Sequence, residues 1–433
     1  MIHVTEIARS KTKEGSKLSA RIQCPNSDLD GKELWLRYPA DCFDHLSEAA
    51  DPWIALLLWP AMRLGQTLRI DAPASARLME ATDELMAIMH CWDSRFERVQ
   101  IQPQSVTDHP PSDGVTASFF SGGVDAFYTL LKNRSATSPR NGTVSHLIFV
   151  HGFDIRLDDT ELHDRVLSSM QRCADALGCT LVSCATNVRD VIPEGLVGWP
   201  MYYGAPLAGM ALGLSGLWSR VLIPAPQTYK DTFPNGSHPV LDPLWSTEAV
   251  QMVHDGAEAT RVAKVETIAT SDLALRHLRV CWRNPDGAYN CGRCEKCVRT
   301  MISLKMAGAL EKCMAFDQPL SYARVADLPL NTHASRVLMV QNYEAAVARQ
   351  ADPALIRALH RCLHPSVLRR SERAMRRALR PLALSLDRSL LAGRLRRTYH
   401  AQRHGAPAPQ AATPADSPNL TTQHTQRAKM SEA

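Results

Sequence analysis

The sequence predicts an α/β fold built on a parallel, doubly wound sheet, with an α+β N-terminal region and a helical C-terminal region. Three observations predict it. From Val115 onward short apolar runs alternate with helical patterns, a Ser-Gly-Gly turn joins the first run to its helix, and 45% of the 433 residues are hydrophobic, enough for a large core. The expected divisions are an α+β domain over residues 1–113, an α/β domain with a four-cysteine cluster over 114–310, a basic helical region over 311–403 and a disordered tail over 404–433.

In the first region Glu33–Tyr38, Gln66–Asp71 and Glu97–Gln102 read as strands, and Asp51–Arg63 and Ser75–Trp92 as helices. Ser75 is a plausible N-cap, and Leu78, Met79, Leu85, Met86 and Met89 form a stripe suited to core packing. Trp53–Met62, the longest apolar run, is too short to span a bilayer and reads as a core helix. The segment Met1–Gly15 is polar, so no secretory signal is read and a cytoplasmic location is expected. Pro110–Gly114 is the expected junction.

Beyond it, Val115–Phe120, Val144–His151, Cys179–Cys184 and Arg220–Ala225 read as strands, with helices over Asp158–Leu177 and Tyr203–Trp218. Ligands of such sheets sit at the carboxyl ends of the strands, where Ser121-Gly122-Gly123 and His151-Gly152-Phe153-Asp154 both fall. His151 is either part of that site or a packed loop histidine. The long polar passage Pro226–Trp245 is the candidate receiver of a second substrate: Lys230 offers a cation for phosphate, and His238, Asp242 and Glu248 offer proton-transfer or hydrogen-bonding groups. Arg261 and Lys264 share a helix face, either gripping a polyanion or forming a solvated basic surface beside Glu258 and Glu266.

The residues Ser121-Gly122-Gly123-Val124-Asp125 carry the sharpest signal. Paired glycines let the main chain approach a ligand, the helix that follows turns unpaired amides and its positive end toward it, and an anion is the natural occupant. Ser121 adds a hydroxyl for phosphate, and Asp125 a carboxylate for Mg2+. This stretch resembles the Ser-Gly-Gly-x-Asp signature of the PP-loop ATP pyrophosphatases, whose fold is of the adenine nucleotide alpha hydrolase kind. The resemblance implies that ATP binds on the turn and is split to AMP and pyrophosphate, with the loop at His151 and Gly152 near the adenine. Where the family often has Ser or Thr, this chain has Ala126, so one phosphate hydroxyl is absent.

Twelve cysteines in a reducing compartment favour thiols and metal ligation over disulfides. Eight are scattered. Cys281, Cys291, Cys294 and Cys297 follow C-x9-C-x2-C-x2-C, the pattern of a closed structural Zn2+ site, with an iron–sulfur cluster as the competing occupant. A Ser-Gly-Gly-x-Asp turn followed by such a cluster is similar to the 7-cyano-7-deazaguanine synthase family, which converts a deazaguanine carboxylate to a nitrile with ATP and ammonia. The likeness spans Val115–Met306, and both ends of the chain lie outside it.

The expected activity is therefore adenylation of a carboxylate or carbonyl oxygen for attack by a nitrogen nucleophile. Asp125, Lys230 and Lys264 are the candidate catalytic residues, and Ser121, Gly122, Gly123, Val124, Asp125, His151, Gly152 and Arg261 the nucleotide-binding ones. ATP, Mg2+ and Zn2+ are the expected cofactors, and a small-molecule or protein carboxylate and ammonia or another amine the expected partners, with a homodimer compatible. Charge adds an alternative. Between Arg361 and Arg403 twelve arginines face two acids, a local +10 that leaves residues 1–360 at −5 within the chain's +5. Basic amphipathic helices of this kind hold nucleic acid, an anionic surface or the acidic body, so an RNA-modifying protein, or an ATP-binding subunit without turnover in a modification or defence system, is the competing reading.

Overall fold

The computed structural model describes residues 1–108, 113–134 and 143–366, together with Ser371, Met375 and Leu379. The chain divides into two units, residues 1–366 and 367–433. Most of the arginine-rich region, the tail and part of the Pro110–Gly114 junction lie outside the described residues.

Among the described residues ten strands form one sheet: β1 (Ile2–Thr12), β2 (Gly15–Gln23), β3 (Glu33–Tyr38), β4 (Leu68–Ser75), β5 (Ile101–Thr107), β6 (Val115–Phe119), β7 (His146–His151), β8 (Thr180–Thr186), β9 (Trp218–Pro224) and β10 (Gln251–Asp255). Their order is β10-β9-β6-β7-β8-β3-β2-β1-β4-β5. The β6-to-β10 half is parallel throughout, and β4 and β5 also run parallel beside β1. The antiparallel pairs are β1 with β2, β2 with β3 and β3 with β8. The result is a mostly parallel α/β sheet flanked by helices, and residues on both sides of Pro110–Gly114 contribute to it.

The seam between the two halves is the short β3–β8 ladder, Leu36 opposite Thr186 and Arg37 opposite Ala185. Side chains extend it. Asn187 accepts from the Trp35 amide at 2.9 Å and donates to the Glu33 carbonyl at 2.9 Å, while the Thr186 hydroxyl donates to the Trp35 carbonyl at 2.8 Å. One core runs under this seam, from Leu34 and Leu36 to Val182, Val188 and Trp218.

Trp53–Met62 lies in a core helix, Asp51–Leu64, buried along nearly its whole length. Among the described residues no helix is long and apolar enough to cross a membrane. This helix packs against Gly204–Leu212, and the contact depends on a missing side chain: a Cβ on Gly209 would lie 2.7 Å from Leu56 Cγ and 3.2 Å from the Pro52 carbonyl oxygen. Gly209→Val is expected to cost about 1–3 kcal/mol by overpacking, read as a lower urea midpoint at unchanged m-value.

Several boundaries differ from the sequence expectation. The helix expected over Tyr203–Trp218 ends at Leu212: the Tyr38 hydroxyl donates to the Met210 carbonyl at 2.8 Å, and the Leu214 and Ser215 amides turn instead to Ala211 and Leu212 in a tighter turn. The strand expected at Glu97–Gln102 is β5, shifted to Ile101–Thr107. The hairpin β1–β2 and the strand β10 had no counterpart in the sequence reading. In the hairpin, inward Ile2, Val4, Leu18, Ala20 and Ile22 alternate with polar residues, and charged side chains at the tip mask the period. After β10 come the helices Arg261–Ala269, Glu295–Met306, His333–Ala348 and Pro353–Leu363, the last three sharing a separate apolar cluster around Ile302, Met339 and Leu359.

Candidate functional site

The five parallel strands β6 to β10, numbered by their own chain order, run 5-4-1-2-3 across the sheet. After β6 the chain builds outward through β7 and β8, then returns to place β9 on the other side of β6. The carboxyl ends of β6 and β9 therefore flank the crevice where α/β sheets receive ligands. The Ser121–Asp125 turn leaves β6 at that point.

The turn has the shape its glycines permit. Gly122 has φ +74, in the left-handed region, and a Cβ there would lie 2.7 Å from the Met170 methyl carbon. Gly123 accepts the first helical bond, from the Phe127 amide at 2.9 Å. The amides of Val124 and Asp125 thus open the helix Val124–Arg134 with no helical acceptor before them. Ser121 is exposed at the mouth.

Asp125 is the best-connected group in the crevice. One carboxylate oxygen accepts from Arg261 Nη2 at 2.7 Å and the other from Lys264 Nζ at 3.0 Å. Lys264 also donates to the Ala225 carbonyl, just past β9, at 2.6 Å, so this side chain closes the gap between the two strand ends. Burial pushes the Asp125 carboxyl up, but Arg261 and then Lys264 outweigh it and hold it below the ordinary carboxylate value. Burial pulls the Lys264 ammonium down, and Asp125 opposes that pull. The solvated-face alternative for Arg261 and Lys264 is overturned: they are 8% and 2% exposed, because their helix turns this face toward the crevice.

Two further cations escaped the sequence reading. Arg279 and Arg299 are 4% and 5% exposed. The Arg279 amide donates to the Gly122 carbonyl at 2.7 Å. Arg299 binds Glu295 at 2.6 Å, and its charge is felt together with those of Arg261 and Asp125; burial pulls its guanidinium below the usual range. Three buried cations, Arg261, Lys264 and Arg299, thus meet two carboxylates, Asp125 and Glu295, while Arg279 is brought against the turn by its main chain. Arg261 Nε, Arg279 Nε and Nη2, and Arg299 Nε are buried without a hydrogen-bond partner. Buried charge is expensive unless compensated, so the cluster is electrostatically suited to an anion. The one sequence signal for Arg279 and Arg299 is position: each lies two residues outside the first or last clustered cysteine.

The remaining candidates take separate places. His151 ends β7, where it is buried, bonded through Nε2 to the Arg156 carbonyl at 2.8 Å and stacked on His163 at 4.0 Å; burial lowers its pKa. Gly152 has φ +98, and a Cβ there would lie 2.0 Å from the Thr186 carbonyl oxygen. Lys230 is exposed on the rim of a groove of about 510 Å3, which also involves Tyr229, Asp231, His333 and Arg336. The groove is joined to the crevice by Gln341, which accepts from the Arg261 amide at 2.9 Å and donates to Asp231 at 2.8 Å. Asp242 is fully buried and organises its own loop, accepting from the Ser237 hydroxyl at 2.7 Å and meeting His254 Nδ1 at 2.6 Å. The Glu248 carboxylate accepts from the Arg77 amide at 2.8 Å.

The sulfurs of Cys281, Cys291, Cys294 and Cys297 all lie within 4.8 Å of one another, with Cys281–Cys294 and Cys291–Cys297 both at 3.9 Å. A zinc tetrahedron with bonds of about 2.3 Å has sulfur–sulfur edges of about 3.8 Å, so the donor set fits a metal such as zinc. Gly292, with φ +61, makes the turn between two ligands, and the Cys294 amide donates to the Cys291 sulfur at 3.2 Å. Asn290 fixes the loop, accepting from the Val280 and Cys281 amides and donating to the Leu278 and Ala315 carbonyls.

No family model, curated protein or solved structure matches the chain.

Proposed function

We propose that this chain is a PP-loop type ATP pyrophosphatase that adenylates a carboxylate or carbonyl oxygen and passes the product to a nitrogen nucleophile. The observation that carries the reading is the Ser-Gly-Gly-Val-Asp turn at the strand crossover, set among buried cations in excess of the carboxylates they meet. The phosphates of ATP would lie on the turn, against the helix-opening amides and the Ser121 hydroxyl, with the arginines and Lys264 compensating their charge. Asp125 is the carboxylate at the turn that would hold Mg2+, by sharing the oxygens that Arg261 and Lys264 now bond, and the ion would supply further charge neutralisation.

The acceptor oxygen attacks the α-phosphorus, the bond to the β-phosphate bridging oxygen breaks, and pyrophosphate leaves. The nitrogen nucleophile then attacks the activated carbon, AMP departs with the former acceptor oxygen, and the nitrogen releases its proton. Adenylation turns a poor leaving oxygen into a good one, and this chain contributes positioning and charge compensation. The acceptor is assigned to the groove at Tyr229 and Lys230, where the exposed ammonium would meet its carboxylate and Gln341 would connect acceptor binding to Arg261.

The test is product analysis. Purified, metal-replete protein with ATP labelled at the α-phosphate, ammonium and a panel of carboxylates that includes 7-carboxy-7-deazaguanine is expected to form AMP and pyrophosphate in an acceptor-dependent manner. Formation of ADP and phosphate, or no nucleotide turnover with any acceptor, would rule the reading out.

A further inference from the structure

We infer that the four-cysteine loop is the frame carrying the anion-binding arginines, so that metal occupancy and anion affinity at the glycine turn are coupled. The inference rests on the reading that the Ser121–Asp125 turn binds phosphate groups. It goes further by assigning Arg279 and Arg299 to phosphate binding and giving the metal site a role beyond general stability.

The segment entering the loop lies directly on the turn. The His277 carbonyl oxygen would be 3.4 Å from a Cβ on Gly122, the Arg279 carbonyl oxygen 3.7 Å from one on Gly123, and the Arg279 amide already bonds the Gly122 carbonyl. Two residues later the chain reaches Cys281, whose amide is pinned by Asn290, next to Cys291. On leaving the loop, Cys294 is the residue immediately before the helix Glu295–Met306 and Cys297 lies in its first turn. Glu295 in that turn holds Arg299, and the helix packs on Arg261–Ala269, which carries Arg261 and Lys264.

The metal would thus tie together two short segments that each present a buried guanidinium with unpartnered N–H groups. Without it, four sulfurs within 4.8 Å of one another have only weak mutual contacts to hold both segments in register. The ligand class is a di- or triphosphate, since two guanidiniums on separate segments, each with a buried unpartnered N–H, call for more than one phosphate group to meet both.

The experiment is equilibrium binding of inorganic pyrophosphate to the full chain by calorimetry, with metal content and near-UV circular dichroism measured on every sample. Arg279→Met and Arg299→Met are each expected to weaken binding at least tenfold at full metal occupancy. Stripping the metal from wild type should give a comparable loss, and stripping the double variant little further loss. If wild type binds pyrophosphate but the Met variants or the stripped protein bind within twofold of it, this inference is overturned and the reading of the turn stands. If metal-replete wild type binds no pyrophosphate, the reading of the turn falls and this inference with it.

Two measurements keep the test decisive if a sample unfolds. Arg279→Lys and Arg299→Lys preserve charge but lose the guanidinium fork, and unchanged affinity in both would overturn the assignment. In cobalt-substituted protein the thiolate-to-cobalt absorption should shift on adding pyrophosphate, and an unchanged spectrum at saturation would overturn the coupling.

Discussion

Asp125→Asn is expected to reduce AMP formation by on the order of 10²–10³ and to cost about 3–5 kcal/mol of stability. The stability loss follows from what the carboxylate holds. Arg261 and Lys264 are 8% and 2% exposed, both bond Asp125, and an amide leaves two buried cations without their counter-charge. A second change separates the effects: adding Lys264→Met removes one stranded cation and should restore part of the stability while activity stays low. Equal loss of stability in the single and double variants would contradict the account.

The pH dependence has a definite sign. The folded Asp125 carboxyl is held below 3.8, so its contribution is fully present above that value and is lost as pH falls through the depressed folded value. The stability difference between wild type and Asp125→Asn should therefore be constant near neutrality and narrow below about pH 4. A gap that stays constant to pH 2 would show that the pairing does not depend on ionisation.

Replacing Cys294 with Ser, or stripping the metal with a chelator, is expected to have the largest effect on folding. A structural zinc site contributes on the order of 10 kcal/mol, comparable with the whole stability of an ordinary domain at about 5–15 kcal/mol. Serine keeps the size but not the soft thiolate. One equivalent of zinc per chain should be found in the native protein and lost in Cys294→Ser, together with a large fall in melting temperature. Bound iron with visible charge-transfer bands would instead identify an iron–sulfur cluster, and a variant as stable as wild type would deny the loop a metal.

What could be read from the residues depended on how local the signal was. The Ser-Gly-Gly-Val-Asp turn and the cysteine cluster are each written in one short stretch, residues 121–125 and 281–297, and the structure places each in a coherent local geometry. The core helix at Trp53–Met62 was equally plain, because an apolar run of that length has few other uses. Arg279 and Arg299 were not legible: they come together with a turn near residue 122 only after more than 150 intervening residues have folded, and neither has a distinctive neighbour other than a cysteine. The strand β10 was hidden by His254, a titratable residue on the buried side of a five-residue strand, where it pairs with Asp242. Arg261 and Lys264 showed the limit of helical spacing, which identifies a shared face but not whether that face meets water.

The β3–β8 seam has a consequence for biosynthesis. Strand β3 is complete by residue 38, but its partner on that side, β8, does not begin until residue 180. During synthesis the nascent chain must carry an open strand edge while about 140 further residues emerge, and an N-terminal fragment ending before β8 would keep that edge permanently. Such a fragment is a template for intermolecular pairing, so premature termination would yield insoluble polypeptide instead of a stable half-protein.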